Sequence, residues 1–202
     1  MSDGIPVSFA KPSANRARLP PDAEAFAGQC RRMTQSVAVK PIAPGVRVGH
    51  VHLKVADLER AIAFYHGVLG FEVTQRFGRQ AAFLSAGGYH HHIGLNTWKS
   101  AGGRPPAPGT TGLYHVAFLH PTRRELSDAL ARVLRAGVEL DGAADHGVSE
   151  VLYLRDPDGN GVELYWDRPQ SAWPRTAQGE LAMYTRALDL DGLLSASESP
   201  TE

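Results

Sequence analysis

The 202-residue chain lacks several features that would assign it to an obvious class. Cys30 is its only cysteine, so no disulfide can form within the chain, as is usual in a reducing compartment. Its 21 basic and 21 acidic residues cancel, so no net charge attracts nucleic acid or an acidic membrane. No apolar run approaches the roughly 20 residues of a membrane-spanning helix. Near the N-terminus, Lys11 and Pro12 end a short apolar stretch before it could act as a signal peptide. We therefore expect a cytoplasmic protein without nucleic-acid or membrane partners.

Residues 1–44 show no sustained periodicity and contain repeated prolines, which interrupt regular structure. We predict that this segment is an arm, either disordered or packed on a partner subunit, with one short helix around residues 22–33. Its boundary with the folded domain is expected at residue 45.

Residues 45–98 predict a β-α-β-β-β module. Asp57 is a typical N-cap for the helix, and Gly70 is a typical residue just past its end. The predicted strands are 46–55, 71–74, 80–85 and 90–98. A Gly- and Pro-rich loop, 99–111, follows.

The same order of elements recurs in residues 112–167. Thr122 and Glu125 form a capping-box pattern at the start of the helix, and Gly137 ends it. The predicted strands are 113–119, 138–140, 151–155 and 162–167. We therefore predict an α+β fold in which two tandem βαβββ modules form a curved sheet, a cup around a metal site. In the tail, 168–202, we expect a helix within 181–190 followed by Gly192, then disorder from residue 195. The tail would cover the cup or a subunit contact.

Histidine and glutamate positions carry the functional prediction. Seven of the nine histidines lie between His50 and His115 inclusive. These two histidines occupy equivalent positions on the first strand of each module, on the face opposite the helix. Glu163 lies on the last strand of the second module, on the same type of face. Two imidazoles and one carboxylate are the ligands of the facial triad, which suits Fe(II) and leaves coordination positions open.

Several motifs resemble the vicinal oxygen chelate superfamily, which includes glyoxalase I, extradiol ring-cleaving dioxygenases and antibiotic-resistance proteins. They are the run Gly-His-Val-His-Leu-Lys-Val-Ala-Asp-Leu at 49–58, the helical residues 63–65 and 68–71, and the segment 153–160 with its Asp-Pro-Asp-Gly turn. The resemblance spans about 46–167 and is greatest to short proteins similar to catechol 2,3-dioxygenase.

The resemblance implies an extradiol dioxygenase of aromatic catabolism that binds a small aromatic diol and O2 at Fe(II), or alternatively Mn(II). The extradiol pattern places the metal ligands at His50, His115 and Glu163, and a substrate-contacting tyrosine at Tyr153.

The extradiol pattern also has an acid-base histidine, which falls within residues 90–92. The motif favours His91, whereas strict strand alternation favours His92, and a β-bulge would reconcile the two. His146, in the loop before the strand of Tyr153, would reach the same pocket.

Two alternative functions fit the same architecture. A glyoxalase-type isomerase or lyase would use Ni, Zn or Co, with a fourth ligand, typically Glu, on the last strand of the first module. Residues 90–98 contain no carboxylate, although His92 is an alternative fourth ligand. The second alternative is a protein that binds a small molecule without a metal, as in the antibiotic-resistance branch. The chain is shorter than the best-known extradiol enzymes, and a homo-oligomer is expected.

Overall fold

The structure is a computed structural model that describes residues 40–197. The expected arm, including the short helix at 22–33, lies almost entirely outside these residues, as does the end of the tail. The chain divides into two compact units, Met1–Val46 and Arg47–Glu202. Of the first, residues 40–46 are described, and they contain a turn in which the Val46 N–H donates to the carbonyl of Ala43. Both modules lie in the second unit.

The first module is a four-stranded sheet with one helical segment. Asp57 caps the helix, since its side chain accepts from the Arg60 N–H, and Gly70 follows the helical segment with φ +89°. The elements are β1 Val51–Lys54, α1 Leu58–Ile62, a π-helical continuation Ala63–Val68, β2 Glu72–Phe77, β3 Ala81–Ser85 and β4 Ile93–Asn96. The strand order is β1-β4-β3-β2, with β1 parallel to β4 and the other pairs antiparallel.

The second module repeats this arrangement. The predicted N-cap is present, because the Thr122 side chain accepts from the Glu125 N–H and donates to Glu125 Oε2. The elements are β5 Val116–Leu119, α2 Arg123–Arg135, β6 Leu140–Asp145, β7 Ser149–Arg155 and β8 Gly161–Asp167, and the C-terminal segment adds β9 Arg186–Ala187. The strand order is β5-β8-β7-β6-β9, with β5 parallel to β8. The predicted α+β fold with two βαβββ modules is confirmed.

Several predicted strands are shorter or displaced in the structure. The first strand of each module begins at Val51 and Val116 rather than at residues 46 and 113, because its parallel pairing with β4 or β8 starts there. The prediction of a strand at 138–140 was wrong in position. β6 starts at Leu140 and runs to Asp145, where β7 supplies an antiparallel partner.

The prediction of a helix within 181–190 was wrong. This part of the chain is extended: Leu181 bridges to Arg175, and β9, Arg186–Ala187, pairs with β6. A short helix, α3 Leu190–Leu194, follows, with Asp189 as its N-cap. Gly192 therefore lies inside a helix rather than after one. Ser195–Ser197 is a 3-10 turn.

One core joins the two modules. The buried apolar faces of α1 and α2, with inward residues of β3, β4, β7 and β8, form one continuous cluster that includes Leu193 of α3. No helix among residues 40–197 combines the length and the apolar character that crossing a membrane would require.

Buried polar contacts also connect the modules. The Tyr65 hydroxyl donates to Asp156 Oδ2 over 3.0 Å in a buried setting. Asp158 Oδ1 accepts from the Ala56 N–H at 3.1 Å and from Arg60 Nη2 at 2.6 Å. Both aspartates belong to the turn between β7 and β8, so the helix of the first module is bonded to the turn that starts β8.

Replacing Tyr65 with Phe removes the buried bond to Asp156, and we expect it to lower the free energy of unfolding at pH 7 by about 1–3 kcal/mol. Burial, followed by Asp156, holds the pKa of Tyr65 far above its usual value. Above about pH 10 the unfolded tyrosine ionises while the folded one keeps its proton, so wild-type stability falls as pH rises. Tyr65→Phe should lack this part of the loss, so the difference in the free energy of unfolding between the two proteins should become smaller as pH rises.

Urea unfolding between pH 7 and pH 11 measures both effects. Tyr89→Phe is the matched control, since Tyr89 is 41% exposed. An equal cost for the two variants at pH 7 would contradict the importance of the buried bond.

Candidate functional site

The second module brings His115 and Glu163 together. His115 directly precedes β5, and Glu163 lies on β8, the parallel neighbour of β5. His115 Nε2 and Glu163 Oε2 are 2.9 Å apart. Because strand side chains alternate, Glu163 points away from the core, whereas Val162 and Leu164 on either side are almost fully buried. The pair therefore stands on the sheet face opposite the helix, as the sequence predicts.

Gly161 permits this approach. A Cβ built on Gly161 would lie 2.1 Å from the carbonyl oxygen of Tyr114 and 3.0 Å from His115 Cβ. The first of these distances is far below any van der Waals contact, so a side chain here would push β8 away from the residue that carries the imidazole. The close packing of the strands thus sets the distance between His115 and Glu163.

The electrostatic setting of the pair suits a cation. Burial raises the pKa of Glu163, while His115 and His146 act in the opposite direction. His115 Nδ1 is buried without a hydrogen-bond partner. A partly desolvated carboxylate beside an imidazole supplies two of the donor types that bind divalent first-row metals.

Tyr153 and His146 extend the same face. Tyr153 lies on β7 directly opposite Glu163 in the strand register. Its hydroxyl oxygen lies 3.0 Å from His146 Nε2. Burial, and then the charge of Glu163, raises the pKa of Tyr153, so its hydroxyl keeps its proton at neutral pH. The structure therefore groups four of the predicted site residues in the second module.

The first module holds a separate histidine cluster. The rings of His50 and His91 have centroids 4.6 Å apart, and the ring of His91 also lies 4.9 Å from that of Phe83. His90 Nδ1 is 2.7 Å from His91 Nδ1. Burial and the neighbouring histidines, His50 first, lower the pKa of His91.

His92 turns toward the end of β3 instead. Its Nδ1 lies 3.0 Å from Ser85 Oγ and accepts from the Ala86 N–H at 3.3 Å. The register of β3 with β4 is regular, and the only register shift in this sheet among residues 40–197 lies in β2, between Val73 and Gln75. His91, rather than His92, is therefore the neighbour of His50, without the suggested bulge at the start of β4. The acid-base role of either residue stays a prediction.

Strand register reveals a position that the sequence analysis missed. Glu163 pairs with Ala117 in the second module, and the corresponding pair in the first module is Gly94 with His52. The imidazole of His52 covers Gly94 so closely that a Cβ there would lie 2.9 Å from His52 Cγ. The first-module counterpart of Glu163 is thus a glycine, Gly94, covered by the His52 ring.

The structure does not bring the three predicted ligands together. His115 and Glu163 lie 2.9 Å apart, whereas His50 packs against His91. Among residues 40–197 no three His, Cys, Asp or Glu side chains are close enough to hold one metal ion. The donor types fit Fe(II) in chemistry, and two of the three predicted ligands are neighbours.

A family model described as the Glyoxalase/Bleomycin resistance protein/Dioxygenase superfamily matches residues 47–164. The chain belongs to this superfamily. The predicted resemblance is therefore confirmed over both modules. Residues 168–197, which contribute β9 and α3, lie outside the match.

Two curated members of the superfamily illustrate the similarity. A catechol-2,3-dioxygenase of Bacillus subtilis (strain 168) is 46% identical over 147 residues, 73% of this chain and 50% of the relative. Biphenyl-2,3-diol 1,2-dioxygenase 3 of Rhodococcus globerulus is 36% identical over 121 residues, 60% of this chain and 63% of the relative. The chain thus spans half to under two thirds of the length of these relatives.

A solved superfamily structure, a glyoxalase/dioxygenase from Nostoc punctiforme, superimposes with a TM-score of 0.54 at 20% identity. The superposition covers 65% of this chain and 99% of the other. At this identity the likeness establishes the fold alone.

The sequence alone leaves open whether the tail covers the cup or a subunit contact, and it does not identify which residues of the C-terminal segment contact the site. His146 Nδ1 lies 3.1 Å from Thr185 Oγ1 and 3.2 Å from the carbonyl oxygen of Tyr184. Neither residue belongs to a motif, and the segment was predicted to be helical. Residues 184–187 show no clear alternation of apolar and polar side chains, so the sequence does not predict a strand there. The contact becomes apparent only from the pairing of β9 with β6.

We expect Gly161→Ala to lower the free energy of unfolding by about 1–3 kcal/mol, because the new Cβ must displace the Tyr114 backbone. Urea denaturation measures this cost. Gly142→Ala is the matched control: Gly142 is also a strand glycine of the second module, and no atom lies within 4 Å of its built Cβ. Equal stability of the two variants would contradict the close-approach interpretation.

Proposed function

We propose that this protein is an extradiol ring-cleaving dioxygenase that acts on a catechol-like aromatic diol with Fe(II) and O2. The observation that carries the proposal is the His115–Glu163 pair, 2.9 Å apart, with Tyr153 opposite Glu163 on the neighbouring strand. The two relatives are a catechol-2,3-dioxygenase and a biphenyl-2,3-diol 1,2-dioxygenase, and their activities support the same substrate class for this chain.

His115, Glu163 and His50 would hold the metal, Fe(II) or alternatively Mn(II). Bound there, the metal would supply a redox centre at which an aromatic diol and O2 react. The carboxylate of Glu163 would offset part of the cation charge, and a set of three protein ligands would leave coordination positions free. Burial raises the pKa of Glu163, and a bound cation would compensate the cost of burying its charge.

We further propose that His50 comes from a second copy of the chain, so that the active form is a homo-oligomer. β1 and β5 each stand at the edge of their sheet, and neither edge has a strand partner in the described part of the chain. Apolar side chains next to both strands are open to solvent: Val48 is 94% exposed and Tyr114 83%. An unpaired edge flanked by exposed apolar residues is a surface suited to association.

The remaining residues would bind and orient the diol and move its protons. Tyr153 lies beside the His115–Glu163 pair and would contact a substrate oxygen. His91, as the ring neighbour of His50, would accept a hydroxyl proton of the diol and later return it. His52, whose ring lies 6.0 Å from that of Phe83 and 5.7 Å from that of Trp98, would form an aromatic wall of the pocket.

The glyoxalase-type alternative needs a fourth ligand on the last strand of the first module. The register counterpart of Glu163 on that strand is Gly94, and the His52 ring fills the space above it. This arrangement favours a three-ligand site over a four-ligand one. A metal-free binding protein would require no metal at all, so metal analysis after anaerobic purification separates it from both enzymes.

Anaerobic loading with Fe(II), followed by catechol and then air, should give the yellow ring-opened product, measured by visible absorbance. His115→Ala and Glu163→Gln should each lower activity by at least about a hundredfold and lower bound iron, since each removes a ligand. His66→Ala, at an exposed histidine in the π-helical segment, is the control. Iron-loaded wild type that is inactive on catechols of every ring substitution tested would overturn the proposed reaction.

Mixing two inactive variants tests whether the site is shared. His50→Ala and His115→Ala subunits, unfolded together and refolded as dimers, form half of the dimers with one of each subunit. In a shared arrangement each mixed dimer has one site with both histidines intact, so roughly a quarter of wild-type activity should return. No recovery, with mixed dimers verified by mass spectrometry, would mean that one copy supplies all three ligands.

A further inference from the structure

His146 is bonded on both edges of its ring, and its two partners differ in what they can do. On one edge, Nε2 lies 3.0 Å from the Tyr153 hydroxyl oxygen, which can donate or accept. On the other edge, Nδ1 lies 3.2 Å from the main-chain carbonyl oxygen of Tyr184, which can only accept, and 3.1 Å from Thr185 Oγ1. The carbonyl therefore decides which ring nitrogen carries the proton.

The Tyr184 carbonyl is held in place by the packing of the C-terminal segment on the loop of His146. The Tyr184 N–H donates to the His146 carbonyl at 3.2 Å, and β9 pairs with β6 immediately afterwards. Gly147, with φ +79°, packs against the Tyr184 ring so closely that a Cβ would lie 2.6 Å from its Cε1. Pro174 lies 2.9 Å from the same position. These contacts hold the Tyr184 backbone in place, so the His146 ring has little freedom to bond to another acceptor.

The neutral imidazole has two tautomers, and only one suits this surrounding. With the proton on Nδ1, the ring donates to Tyr184, and its Nε2 lone pair accepts the hydroxyl proton of Tyr153. With the proton on Nε2, lone pairs of Nδ1 and of the carbonyl oxygen would face each other at 3.2 Å, and the Thr185 hydroxyl would be the sole donor to Nδ1.

We propose that the C-terminal segment around Tyr184 is a positioning element of the site, because it fixes His146 as the Nδ1–H tautomer. The Tyr153 hydroxyl group then donates a hydrogen bond to His146 Nε2, and the lone pairs of its oxygen face the Glu163 side. Tyr153 then acts as a hydrogen-bond acceptor for a hydroxyl group of the bound ligand. The ligand part of this inference rests on the proposed function; the tautomer does not.

Long-range proton–nitrogen correlation spectra of the full-length, metal-free protein at pH 8 read the tautomer directly. The His146 signals are assigned by their loss in His146→Gln. We expect Nδ1 protonated and Nε2 unprotonated in wild type. The same result is expected in Thr185→Val, because the carbonyl remains as acceptor. An Nε2–H tautomer in wild type, or a switch to it in Thr185→Val, would overturn the proposal.

Gly147→Ala tests the role of the segment. The added Cβ should displace Tyr184 and give a mixture of tautomers, whereas Gly142→Ala on β6, where the built Cβ meets no atom within 4 Å, should leave the spectrum unchanged. If Gly147→Ala fails to fold, the wild-type and Thr185→Val spectra still decide the assignment. A folded Gly147→Ala with a pure Nδ1–H ring would remove the positioning role.

Turnover of catechol provides a separate reading. Gly147→Ala should lower kcat on the order of tenfold with bound iron unchanged, because a misoriented Tyr153 no longer accepts from the diol. An unchanged kcat beside an altered tautomer would refute the acceptor role of Tyr153. Inactivity of the iron-loaded wild type, with the Nδ1–H tautomer observed, would count against the proposed function and leave the tautomer assignment standing.

Discussion

Two buried aspartates on one turn connect the parts of this molecule. Asp156 accepts from Tyr65 of the first module and also from the Asp158 and Asn160 N–H groups of its own turn. Asp158 accepts from the Ala56 N–H and from the side chain of Arg60. Buried carboxylates are costly unless they are bonded, so the contacts from the first helix stabilise the turn. The same turn begins β8, and the position of Glu163 therefore depends on contacts made far from its own carboxylate.

Much of the fold was predictable because its signals are local. Asp57 and the Thr122–Glu125 capping box, with glycines at the helix ends, delimit the two helices, and alternation predicts the faces of the strands. The predictions failed where structure depends on a distant partner. β6 begins at Leu140 because β7 pairs with it there, and the segment before Asp189 is extended because β6 accepts it as a neighbour. Neither partner can be read from the segment itself.

The same distinction between local signals and distant partners applies to the candidate site. His115, Glu163, Tyr153 and His146 meet because they lie on adjoining elements of one sheet, where strand register alone determines proximity. His50 belongs to the other sheet, and equivalence within a repeat does not establish distance between the repeats. The choice between His91 and His92 depended on the conformation of the chain just before β4, which alternation does not predict. The sequence identifies the three predicted ligands by residue type, and the structure places them in two separate clusters.

The two modules differ in side-chain size at one strand pair, and this difference makes them non-interchangeable. Where the second module has a small Ala117 beside Glu163, the first has a large His52 beside Gly94. A chain made of two first modules would have no carboxylate at this position. One made of two second modules would lose the imidazole that packs beside Phe83 and Trp98. Each module therefore contributes a side chain that the other lacks at the corresponding strand pair.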